Sequence, residues 1–172
     1  KTGEVFGAEA LIRWLHPEKG LIPPFKFLPI IEDTDLEILI GDWVIKQALL
    51  QLDQWQKQGI NIEVSVNISS YHLQSASFFT ALAEALADYP NISHKYFQLE
   101  ILESSALGDL DTIRNIIQRC RDELGVNIAL DDFGTGYSSL THLRSLPANT
   151  IKIDQSFVRD MLDDPSDYAI IA

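Results

Sequence analysis

Short apolar runs alternate with amphipathic stretches along the whole of this chain, and that alternation limits it to very few folds. Residues 5–14, 62–68, 97–102, 126–130 and 150–153 read as five strands. Between them, residues 36–58 predict a long helix with Leu36, Leu39, Ile40, Trp43 and Val44 on one face and Gly59 as its stop. Residues 78–89 predict a helix ended by Pro90, residues 109–124 one closed by Gly125, residues 138–145 a short one, and Gln155-Ser156 the entry to another. A strand followed by a helix and then another strand implies a parallel sheet with right-handed crossovers. That leaves a doubly wound open sheet or a (β/α)8 barrel.

Polar residues inside the strands choose between the two. Glu9, Asn67, Glu100, Asp131 and Lys152 each interrupt a different apolar run. Strand parity puts Glu9, Leu11 and Arg13 on one face, and Lys152 and Asp154 together. An open sheet gathers its chemistry at one switch point, whereas a barrel collects it from many strand ends, so five contributing strands favour the barrel. With 172 residues the chain is shorter than the ~250 of a typical complete barrel.

The stretch DDFGTGYSSL at residues 131–140 sets two acids at the end of the strand 126–130. One reading is a plain turn in which Asp132 leads into Gly134 and Gly136. The other is chemical. A carboxylate buried on a strand must be paired, hydrogen-bonded or bound to metal, and an all-oxygen donor set suits a hard ion such as Mg²⁺ or Mn²⁺. Adjacent acids can share two such ions to activate water for in-line attack on phosphorus. Lys152 would then offer a point charge to hydroxide or a phosphoryl oxygen; its plainer role is a salt bridge to Asp131 or Asp154. The four histidines, His16, His72, His94 and His142, lack the spacing of a zinc site.

Composition excludes other classes. A net charge of −12 and a pI near 4.5 argue against a surface built to grip a nucleic-acid polymer. Cys120 is the sole cysteine, in phase with Ile113, Ile116, Ile117 and Leu124, and reads as a core thiol in a reducing, cytoplasmic setting. No apolar run approaches the ~20 residues of a membrane span, although segments outside this chain could anchor the protein. Trp43 and Trp55 read as core packing, Trp14 as ambiguous, and the acidic stretch 160–167 as a solvated helix end.

The ordered segments Glu9-Ala10-Leu11-Ile12-Arg13-Trp14, Val66-Asn67-Ile68-Ser69, Leu99-Glu100-Ile101-Leu102-Glu103-Ser104, DDFGTGYSSL and Ile151-Lys152-Ile153-Asp154 resemble the signatures of the EAL domain family. The stretch from Ile22-Pro23-Pro24-Phe25 to Trp43 resembles the family's proline-phenylalanine turn and first long helix. The resemblance implies a modified (β/α)8 TIM-barrel, of which this chain supplies about five βα units. It implies hydrolysis of cyclic di-GMP, a bacterial second messenger, to linear pGpG with Mg²⁺ or Mn²⁺, and inhibition by Ca²⁺. Carried over by motif, Glu9, Asn67, Glu100 and Asp131 hold one metal, Asp131 and Asp132 the second, and Lys152 meets the attacking water. Leu11 and Arg13 contact substrate, the guanidinium on a phosphate oxygen. Glu103 fixes the loop after Asp132 through hydrogen bonds; the threonine usual before it is Leu102 here.

The family's first strand, its later βα units and a further metal-binding glutamate do not occur in these 172 residues, so residues 1–172 are expected to form a partial EAL domain that does not sustain normal turnover alone. The alternative is a non-catalytic cyclic di-GMP receptor, against which the retained acids count. Another metal-dependent barrel enzyme or a partner-binding module are further alternatives. Fused sensory or cyclase domains outside the chain, and a homodimer built on the helix after Asp132, are partners the resemblance suggests.

Overall fold

In the computed structural model, which describes residues 3–102, 110–133, 146–160 and 162, five strands form one parallel sheet. They are β1 (Gly7–Ala10), β4 (Glu63–Ile68), β5 (Phe97–Leu102), β6 (Asn127–Phe133) and β7 (Thr150–Ile153), hydrogen-bonded in that order. The spatial order follows the chain order, with no reversal. A doubly wound sheet would carry a switch point where the order turns back, so the sheet is singly wound and curls as half of a TIM-like barrel. The barrel expectation holds.

One stretch read as a single strand divides. Residues 5–14 contain β1, which ends at Ala10, and Trp14 starts β2 (Trp14–His16), paired antiparallel with β3 (Gly20–Ile22). Gly20 makes this hairpin possible, with a φ of +68° that other L-residues rarely adopt. The small lobe continues through a 3₁₀ turn at Pro24–Lys26 and α1 (Leu28–Ile31).

The helices are α2 (Asp35–Lys57), α3 (Ser70–Leu73), α4 (Phe78–Ala87), α5 (Leu110–Leu124) and α6 (Gln155–Asp160). Alternate residues of the sheet meet them: Val64, Val66 and Ile68 of β4, Phe97, Leu99 and Ile101 of β5, and Ile128 and Leu130 of β6 are all buried. Against these pack Leu82 and Leu86 from α4 and Ile113, Ile117 and Cys120 from α5. The predicted helix at 138–145 lies outside the described residues.

α2 corrects the expected helix face. Ile45, Ala48, Leu49 and Leu52 form its buried stripe at i, i+3, i+4 and i+7. Leu36, Leu39 and Trp43 are exposed, because the face of the helix that meets the core is the one carrying Ile45, Ala48, Leu49 and Leu52. Trp43 is therefore not core packing, whereas Trp55 is half-buried against the core.

Cys120 is fully buried, as its phase requires, and burial pushes its thiol up to about 12. Relative to an unperturbed thiol, that lowers the thiolate fraction at neutral pH roughly a thousandfold. Cys120 is expected to resist a disulfide reagent such as dithionitrobenzoate in the native protein and to react within the dead time in urea. Rapid native labelling would show that the core around α5 opens.

Candidate active site

Strand register assembles the site. Asn67 stands opposite Glu100, and Glu100 opposite Ala129, so Asp131 two residues further along β6 shares their face. Glu9 lies opposite Ser65, two residues before Asn67 and on the same face. This is the side turned away from the helices, and below the mouth it carries a buried polar layer in which the Ser65 hydroxyl donates to Gln98 Oε1 at 3.2 Å. The carboxylates crown that layer at the C-terminal ends of the strands, where parallel barrels keep their chemistry.

Two polar groups result. Asn67 Nδ2 donates to Glu9 Oε1 at 2.7 Å. Lys152 Nζ donates to Glu100 Oε2 at 2.7 Å and to Asp131 Oδ2 at 3.0 Å. The Glu100 side chain is only 3% exposed, so its negative charge depends on that ammonium. Burial alone would lower the Lys152 pKa, but its hydrogen bonds to Glu100 and Asp131 outweigh that and hold it above the usual lysine value. Of the two plain partners expected for Lys152, Asp131 is one. Asp154 is otherwise engaged, accepting from the Ser156 amide at 2.8 Å and from the Ser156 hydroxyl at the start of α6.

The adjacent acids are part of a strand; Gly134 and Gly136, on which the turn reading rests, lie outside the described residues. β6 runs on through Asp131 and Asp132 to Phe133, and its pairing with β7 slips between Leu130–Ile151 and Phe133–Ile153. Two residues of β6 thus oppose Lys152, which defines a β-bulge. In a regular strand Asp131 and Asp132 would face opposite sides. Here Asp132 takes a φ of +55°, a conformation that Asp tolerates better than most residues, and its amide donates to Asp131 Oδ1 at 3.0 Å. The Asp132 pKa is raised by burial and by the nearby charges of Asp131 and Asp154, with Lys152 opposing. The bulge therefore brings both acids into one electrostatic site.

Asn149 is a positioning residue that the sequence reading missed. Its amide donates to the Ile128 carbonyl at 2.8 Å, and its side-chain oxygen accepts from the Ile128 amide at 3.0 Å. This double clasp joins the start of β7 to β6 and fixes where Lys152 falls. The available signal was an asparagine in the turn between Pro147 and the next strand, too common a pattern to be decisive.

The substrate-contact candidates lie to one side. Leu11 is exposed between two clefts of about 310 and 480 Å³. The smaller holds Glu9, Arg13 and Trp43, and the larger holds Phe25, Asn67, Ser69 and His72. Arg13 is exposed, with its guanidinium donating to the Ile12 carbonyl at 2.8 Å. Glu103 lies outside the described residues.

Among the described residues, no three His, Cys, Asp or Glu side chains converge closely enough to form a ready ion cage. The chemistry of the donors nevertheless fits a hard divalent cation. Glu9, Asn67, Glu100, Asp131 and Asp132 offer only carboxylate and amide oxygens, and buried Glu100 and half-buried Asp131 already share one positive charge, that of Lys152.

The fold and site together define a barrel-type α/β domain with a carboxylate–lysine centre at its C-terminal mouth. The chain belongs to the EAL domain family, whose model matches residues 1–172. It is 40% identical over 169 residues to the cyclic di-GMP phosphodiesterase PA2567 of Pseudomonas aeruginosa, covering 98% of this chain and 28% of that protein. It is 39% identical over 172 residues to the bifunctional diguanylate cyclase/cyclic di-GMP phosphodiesterase MucR of the same organism, covering 99% of this chain and 25% of MucR. The chain thus spans about a quarter of the length of these relatives. Among solved structures, the PaMucR phosphodiesterase in complex with c-di-GMP superposes with a TM-score of 0.88 at 39% identity, covering 98% of this chain and 68% of that one. The c-di-GMP-bound EAL domain of FimX from Pseudomonas aeruginosa gives 0.82 at 28% identity, covering 95% and 64%. Among the described residues no helix is long and apolar enough to cross a membrane.

Proposed function

We propose that this domain hydrolyses cyclic di-GMP to pGpG in a reaction dependent on Mg²⁺ or Mn²⁺. The observation that carries the reading is the convergence of Glu100 and Asp131 on one positive charge at the barrel mouth, in a family whose relatives bear that activity in their names. Glu9, Asn67, Glu100 and Asp131 would hold one ion, and Asp131 with Asp132 the other. Bound there, the ions would lower the pKa of water and neutralise charge developing on the phosphate.

The chain's own residues account for the rest. Lys152 keeps its proton at neutral pH and stabilises negative charge beside Asp131. Arg13, once released from its neighbour's carbonyl, is free to grip a phosphate oxygen, and exposed Leu11 offers an apolar surface beside it. The bulge keeps Asp131 and Asp132 at one site throughout. We further propose that additional strands of the same domain complete the barrel. This is supported by the open outer edges of β1 and β7 among the described residues and by the greater length of the solved relative.

The test is incubation of the full-length protein and of residues 1–172 with cyclic di-GMP and Mg²⁺ or Mn²⁺, with products separated by chromatography. The expected result is pGpG from the full-length protein, only with metal, and none from an Asp131→Asn control. The 172-residue chain is expected to fall far below the full-length rate. Binding without cleavage would replace the enzyme reading with a receptor.

A further inference from the structure

A polar pair formed by buried His72 and half-buried Asp42 is used by none of the chemistry above. His72 of α3 is 1% exposed, and its Nε2 lies 2.8 Å from Asp42 Oδ1 on α2. Its ring stands edge-on to Phe78 of α4, with centroids 4.9 Å apart. Its backbone amide donates to the Ser69 hydroxyl at 3.2 Å, so Ser69 caps α3. The ring also sits close against Gly41, where an added Cβ would run into it. One imidazole therefore joins three helices to the segment that leaves β4.

That segment begins at a candidate metal ligand. Asn67 lies two residues before Ser69, and the pairing of β1 with β4 ends at Val66. On its β1 side Asn67 is therefore held by side-chain contact with Glu9 and not by the ladder. Gly41, Asn67, Ser69 and His72 all border the cleft of about 480 Å³, so a shift of α3 relative to α2 would be felt at the end of β4.

We propose that the Asp42–His72 pair, seated against Gly41, is a positioning clamp that sets Asn67 for metal binding. The inference rests on the metal-dependent reading above. Partners hydrogen-bonded directly to a metal ligand change affinity by roughly 10–100-fold when removed; this pair acts one step further back, through Ser69, so the lower end of that range is expected. A histidine that merely filled the core would change stability alone.

The test is Mn²⁺ binding by the full-length protein without nucleotide, followed by the electron paramagnetic resonance signal of free Mn²⁺, with thermal unfolding measured in parallel. His72→Ala is expected to weaken Mn²⁺ binding about 10-fold, and His72→Gln, whose amide nitrogen can replace Nε2 toward Asp42, to recover it to within about twofold. Gly41→Ala should behave like His72→Ala even though alanine is the better helix former. If His72→Ala does not fold, Asp42→Ala removes only the acceptor and is read the same way. Variants that bind Mn²⁺ like the wild type while unfolding at lower temperature would overturn the clamp and leave the active-site reading standing. A wild-type protein that binds no Mn²⁺ would remove the metal reading and the clamp with it.

Discussion

Lys152→Met is expected to destabilise the metal-free protein by about 2–3 kcal/mol and to cut hydrolysis by at least about 100-fold. The stability loss comes from Glu100, which is almost wholly buried and would lose its ion-pair partner, leaving a polar carboxyl group uncompensated in the interior. Breaking a fully buried pair costs roughly 3–5 kcal/mol, and the figure is reduced here because the lysine is about one-third exposed. The sign with pH follows from the raised lysine pKa. The folded state binds that proton more tightly than the unfolded chain, so the contribution is fully present below the ordinary lysine value of ~10.4 and is lost only as pH rises beyond it. The gap between wild type and variant should therefore stay constant from about pH 6 to about pH 9 and narrow in stronger alkali. Urea denaturation in chelator measures it, and repeating the titration with Mn²⁺ adds a second check. On the proposed metal-dependent reading, Mn²⁺ should return much of the lost stability to the variant, because Glu100 and Asp131 would then have a bound cation to compensate the missing ammonium. Identical urea midpoints for the two proteins in chelator would mean that Glu100 does not depend on Lys152.

Much of this arrangement was legible in the sequence because barrels expose their logic through period two. Glu9, Asn67, Glu100 and Asp131 each broke an apolar strand, and alternation alone placed them on the face opposite Val66, Leu99 and Leu130. The order of the sheet followed from the strand–helix alternation by the same route. What the sequence hid was set by tertiary context. The break between Ala10 and Trp14 was invisible because both flanks are apolar, yet the ladder ends at Ala10. The exposure of Leu36, Leu39 and Trp43 was hidden because helical periodicity reports that a face is apolar, not that an element covers it. The bulge was hidden too. Asp131-Asp132 before a glycine-rich run suggested the end of a strand, whereas β6 continues with an extra residue, and only pairing with β7 shows it. His72 lacks the spacing of a zinc site, and no spacing rule links it to Asp42, thirty positions away, so its pairing was hidden as well.

Asp132→Asn is expected to separate the two roles that neighbouring acids usually confuse, by losing activity without losing stability. Burial raises the Asp132 pKa first, and the charges of Asp131 and Asp154 raise it further, with Lys152 in partial opposition. A carboxylate whose pKa is raised by folding binds its proton more tightly in the folded state, so its ionisation costs stability as pH climbs through and above the usual carboxylate range. Asparagine removes that charge, keeps the shape, and tolerates the φ of +55° that the bulge imposes. At neutral pH the metal-free variant should be as stable as the wild type or more so. On the proposed two-ion reading, hydrolysis should nevertheless fall by at least about 100-fold, because Asp132 would no longer offer a charged oxygen to the second ion. Asp131→Asn is the contrast. It surrenders the 3.0 Å ion pair with Lys152 and should lower both stability and activity. Chemical denaturation of the two variants in chelator, beside the chromatographic assay with metal, distinguishes them. If Asp132→Asn unfolds as readily as Asp131→Asn, the second acid is a structural element of the bulge; if it hydrolyses cyclic di-GMP at the wild-type rate, it is not a metal ligand. Stability kept and turnover lost would mean that the bulge holds Asp132 in an electrostatically unfavourable place because the reaction needs it there.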